Sequence, residues 1–186
     1  NPDPNSSPFQ AQKNWWLIID IDKLSLPEGI DVSLQTEEAI AFAIESLPIE
    51  FRDTSYIWQL SSSCGVFDQN SISVHLFFWL TEPWLDEHLS CWGKAVNSQS
   101  ESKLIDTAVF RPVQPHYIAE PIFDGIDDPI RGDRLGFKQG RKEAVNIQFD
   151  PKAVLGTASI ATGASIDGIG YEAKMTSLGD AINCQG

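Results

Sequence analysis

The chain has 186 residues, of which 42% are hydrophobic and 21% charged, a balance that suits one domain with a packed core and excludes wholesale disorder. Its longest apolar runs, Trp15–Ile19 and Leu76–Leu80, are far too short to cross a bilayer. A net charge of −13 argues against a simple sequence-reading DNA binder, which needs Lys and Arg against phosphate, but not against an enzyme whose acids hold cations.

Residues 1–13, rich in Pro, Asn, Ser and Gln, read as a linker or frayed arm. The chain starts on Asn1 and its single methionine is Met175, so it is expected to be part of a longer protein. Trp15–Asp22 reads as a strand and Leu24–Val32, with Pro27 and Gly29, as a loop. Ser33 or Thr36 is placed to cap a helix whose apolar stripe runs through Ala39, Ile40, Ala43, Ile44 and Leu47, with Pro48 marking its end. Ser55–Ser62 predicts a second strand, Cys64–Asn70 a hairpin connection and Ser71–Leu80 a third strand. Thr81-Glu82-Pro83 reads as a helix start, with the helix running to about Val96. After a polar loop, Lys103–Val109 predicts a fourth strand. Gln114–Phe123 reads as extended, Asp124–Asp133 as an acidic turn region, and Leu135–Lys138 and Ala144–Phe149 as two further strands. The domain is expected over residues 14–150, with 151–186 as a small-residue-rich C-terminal extension. Cys64, Cys91 and Cys184 form no CxxC pair, so neither a zinc ribbon nor a disulfide framework is indicated, and a cytoplasmic protein is expected.

The order strand, helix, strand, strand, helix, strand predicts an α+β fold. A ferredoxin-like antiparallel sheet, the RRM architecture, with helices on one face is the expectation. Strand alternation then sorts the polar residues. Trp15, Leu17, Ile19 and Ile21 share one face, and Asp20 and Asp22 share the other, with Cα atoms about 6.5–7 Å apart. Two carboxylates that close repel, and a hard divalent cation such as Mg²⁺ or Mn²⁺ offsets the repulsion. Taken alone, a bare DxD is more often a polar strand end facing water. On the third strand, Ile72, Val74, Leu76, Phe78 and Leu80 make a core stripe, and Ser73 and His75 sit side by side on the opposite face. Asp106, flanked by apolar residues, is costly to bury unpaired. A third metal ligand, a helix cap or a salt bridge would each account for it.

DxD on a first strand, SxH on a later one and an apolar-Asp further on form an ordered set that resembles the archaeo-eukaryotic primase superfamily. Asp20 and Asp22 match its first motif, Ser73 and His75 its second, and Asp106 its third. The stretch Asp106–Tyr117 and the run Asp128-Pro129-Ile130-Arg131 look similar to primases of phages and mobile elements, which are often fused to a helicase. The resemblance covers roughly residues 14–140, and lacks an N-terminal element that many members carry. It implies DNA primase-polymerase activity by two-metal nucleotidyl transfer, with Asp20, Asp22 and Asp106 holding two Mg²⁺ or Mn²⁺ ions. Ser73 and His75, with Arg131, Arg134 and Lys138 from the densest basic stretch, would contact the nucleoside triphosphate. Arg111, Gln114, His116 and Tyr117 would line the sugar or template groove of a single-stranded DNA template. A metal-dependent nuclease or relaxase-like enzyme is the competing reading, although no HxH is present, and an inactive nucleic-acid-binding module of the same fold is a third.

Overall fold

The computed structural model describes residues 12–111 and 114–151. The N-terminal arm up to Ala11 and the C-terminal extension beyond Pro151 lie outside the described residues, while Lys13, expected in the arm, opens the first strand. The architecture is α+β: a four-stranded antiparallel sheet with two helices. Strands β1 (Lys13–Ser25), β2 (Tyr56–Leu60), β3 (Ser71–Leu85) and β4 (Leu135–Lys138) lie in the order β1-β3-β2-β4. Helix α1 (Thr36–Ser46) joins β1 to β2, and α2 (Asp86–Gln99) follows β3 directly. Both β1 and β2 run antiparallel to β3, which lies between them, so β1-α1-β2 is a split β-α-β unit compatible with a ferredoxin-like fold.

The core follows from alternation. Leu17, Ile19 and Ile21 pair with Phe78, Leu76 and Val74, and all six are buried with Ile40, Ala43 and Ile44 of α1 and Leu89 and Trp92 of α2. Trp15 departs from its expected face: a register shift between Asn14 and Trp16 takes it out of phase, and it is exposed. The other face carries three rows across the strands. Asp20, His75, Gln59 and Leu135 form one, Ile18, Phe77, Ile57 and Phe137 the next, and Trp16 and Trp79 the third. Both helices therefore cover one face, and the polar row with the acid lies on the open one.

Three elements differ from expectation. Thr81-Glu82-Pro83 does not start a helix; β3 continues through it, because Trp84 is buried in the core and Asn14 and Lys13 pair with Trp84 and Leu85. Helix α2 begins at Asp86, whose carboxylate accepts a 2.9 Å hydrogen bond from the Asn14 side chain. Lys103–Val109 is not a strand. The Asn97 carboxamide oxygen accepts from the backbone N–H groups of Leu104 and Ile105 at 2.9 and 2.8 Å, and its nitrogen donates to the Ile105 carbonyl. One side chain thus satisfies the backbone that a strand partner would, and Thr107–Phe110 then winds into a 3₁₀ turn. The fourth strand is instead Leu135–Lys138, beside β2. Gln114–Phe123 forms no strand, and Ala144–Phe149 contributes a single bridge, Leu80 to Val145. Among the described residues no helix is long and apolar enough to cross a membrane.

Candidate metal centre

The acids converge. Asp20 and Asp22 project from the open face at the end of β1, and the backbone N–H of Asp106 donates to the Asp20 carbonyl at 2.9 Å, laying its segment along the free edge of that strand. The three side chains each present an oxygen within 4.8 Å of the others. Local devices set this geometry. Between Ile21 and Leu24 the register with β3 shifts, and Lys23 adopts a left-handed conformation at φ 53°. The Ser73 hydroxyl accepts a 2.9 Å hydrogen bond from the Lys23 backbone N–H and so stabilises the bulge just after Asp22. Asp106 caps the 3₁₀ turn, its Oδ1 accepting from the Ala108 N–H at 3.1 Å and from Lys103 Nζ at 2.9 Å.

The electrostatics are uneven. Burial pushes the Asp20 carboxyl above the usual carboxylate range; His75 and His116 pull it down, and Asp22 and Asp106 push it further up. The Lys103 hydrogen bond, with that of Ala108, holds Asp106 below that range. Hard carboxylate oxygens converging this closely, that of Asp20 half-buried and bearing unfavourable charge, fit a divalent cation of the Mg²⁺ or Mn²⁺ kind.

A cavity of about 280 Å³ opens over the cluster, and Asp20, Asp106 and His75 lie in its wall. His75 is the direct cross-strand partner of Asp20, with Nε2 3.4 Å from Oδ1. Gln114, His116 and Tyr117 line the same cavity from the segment after the 3₁₀ turn. His116 meets His75 edge to face, with ring centroids 6.2 Å apart, and Tyr117 is largely exposed at the mouth. Arg111 is exposed, and its charge reaches Asp106.

The basic residues Arg131, Arg134 and Lys138 do not line this cavity. Lys138 pairs with Tyr56 across β2 and β4, on the face opposite His75, and its Nζ lies 3.9 Å from Glu37 on α1. Arg131 lines a groove on that side with Glu37, Glu38 and Trp58. Arg134 is buried: it binds both Asp128 oxygens at 2.7 and 2.6 Å and donates to the carbonyls of Ser61 and Cys64 at 2.9 and 3.2 Å. Its guanidinium is spent on holding the turn after β2. Ser61 and Ser62, in that turn, line the cavity, as does the buried Gln59. Sequence reasoning passed over these three. The available signals were one polar residue inside the run Tyr56–Leu60 and three consecutive serines after it. Lys103, three residues before Asp106, was also missed.

Compared with models of known protein families, with curated proteins and with solved structures, the chain finds no match in any of the three.

Proposed function

We propose that this chain is the catalytic core of a DNA primase-polymerase of the archaeo-eukaryotic type, with an RRM-like sheet as its platform. It would join nucleoside triphosphates to a 3′-hydroxyl on a single-stranded DNA template, in the cytoplasm and in the company of a helicase. The observation that carries the reading is the convergence of Asp20 and Asp22 with the sequence-distant Asp106, within 4.8 Å, beside His75.

In nucleotidyl transfer the 3′-oxygen forms a bond to the α-phosphorus while the bond to the bridging oxygen breaks and pyrophosphate leaves. Asp20, Asp22 and Asp106 would hold two Mg²⁺ or Mn²⁺ ions, which would supply activation of the hydroxyl and neutralisation of the leaving group. The remaining work falls to the cavity wall. His75, in the cavity wall, would donate to a phosphate oxygen, and the hydroxyls of Ser61 and Ser62 would add uncharged donors. Tyr117 offers an exposed ring for base stacking at the mouth. Lys138 and Arg131, on the other face, are set aside from triphosphate contact, and Ser73 acts through the bulge that aims Asp22.

A labelled primer on a longer template, incubated with Mn²⁺ and nucleotides, tests the reading. Extension by the wild type, lost in Asp22→Asn with an unchanged circular dichroism spectrum, is the expected result. A shortened primer would establish the nuclease reading in its place. Extension at the normal rate by Asp22→Asn would overturn the assignment of the acids.

A further inference from the structure

We propose that Gln59 is a positioning residue for this site: its buried amide fixes the 114–119 strap over the acids and so holds His116 against His75. The inference rests on the reading of the cluster as a nucleotidyl-transfer centre and adds to it the part that shapes its mouth.

Gln59 sits in the same cross-strand row as Asp20 and His75, one strand beyond His75. It is 6% exposed, in the floor of the cavity. Burying a primary amide is costly unless its hydrogen bonds are made, so a position that only needed filling would favour an apolar side chain. Leu60, the next residue of the strand and equally buried, is of that kind. The Gln59 amide nitrogen donates to the Ile118 carbonyl at 2.9 Å, across 59 residues of sequence. Residues 114–119 contain neither helix nor strand, so the fixed place of the strap comes from tertiary ties such as this one. The tie falls two residues from His116 and one from Tyr117, two of the residues the strap brings to the cavity wall. The same row of the sheet thus carries the acid, the histidine beside it and the amide that brings the second histidine over both.

Two variants separate positioning from packing. Gln59→Met keeps the shape without the donor, and Gln59→Asn keeps a donor but withdraws it by one methylene. In the wild type the His75 and His116 rings, edge to face, should give a ring-to-ring nuclear Overhauser effect. Both variants should lose it while the sheet amide resonances of β1 and β3 stay in place. Strand synthesis should fall about fivefold with it, the weight of one ordinary hydrogen bond, mainly through a raised KM. Rings that stay in contact in both variants, with only a lower melting temperature, would make Gln59 a packing residue and overturn the proposal. Absence of the effect in the wild type would overturn it as well. If the wild type makes no strand, the ring contact and its loss still decide the role of Gln59, so the two readings fail separately.

Discussion

Asp20 is the residue in which the site's opposing forces meet. Burial and two neighbouring carboxylates disfavour its charge, while His75 and His116 favour it. Its folded-state pKa stands above the unfolded value, so the folded chain holds this proton more readily. Stability associated with the protonated form is lost as pH rises through the folded pKa. A divalent cation competes for the same oxygens and must displace that proton. Apparent Mn²⁺ affinity is therefore expected to fall about tenfold per pH unit on acidification, beginning at a higher pH than an Asp with an ordinary pKa would give. Mn²⁺ titrations between pH 7 and pH 4 measure this, and an affinity that holds constant until the ordinary range of Asp would contradict the burial of Asp20. The alternation that puts Asp20 and Asp22 on one face was legible in Trp15–Asp22, because period-two patterning survives the bulge that follows. The cationic partners were not. Face assignment of Lys138 depends on its register with Tyr56, and Arg131 falls in a loop with no periodicity to read.

At the scale of elements, strong periodicity was readable and element ends were not. The stripe Ala39, Ile40, Ala43 and Ile44 gave α1 within a residue or two, and Ile72 to Leu80 gave the body of β3. Thr81-Glu82-Pro83 carries genuine helix-start chemistry, yet pairing of Trp84 and Leu85 with β1 overrides it. The missing fourth strand at Lys103–Val109 turns on one side chain, Asn97, whose reach no local pattern announces. Arg134 shows the same limit: in sequence it is one of a basic run, and in the fold it is the strut under the Ser61–Cys64 turn. Arg134→Met leaves Asp128 without its bidentate partner and takes one donor each from the carbonyls of Ser61, which keeps the Cys64 N–H, and Cys64. Allowing for the partial exposure of Asp128, the expected cost is about 2–3 kcal/mol, or a melting temperature lower by about 5–10 °C. Thermal denaturation checks it, and an unchanged melting temperature would free the guanidinium for a ligand.

Over the whole molecule, a net charge of −13 and a convergence of carboxylates act in the same direction, against the compact state. A cation that binds only the folded chain offsets this by about 2.7 kcal/mol at a hundredfold excess over its Kd, several degrees of melting temperature in a chain this size. General screening of an acidic protein raises stability too, so the comparison must isolate one ligand at fixed ionic strength. Asp106→Asn does so, since asparagine still caps the 3₁₀ turn by accepting from the Ala108 N–H but brings no charge to the cluster. The most direct test is thus the melting temperature of the wild type and Asp106→Asn across millimolar Mn²⁺ at constant ionic strength. The metal-centre account predicts a saturating rise of several degrees in the wild type and a clearly smaller one in the variant. Equal rises in the two proteins would mean that screening alone stabilises the chain, and that Asp20, Asp22 and Asp106 do not act together as a metal centre.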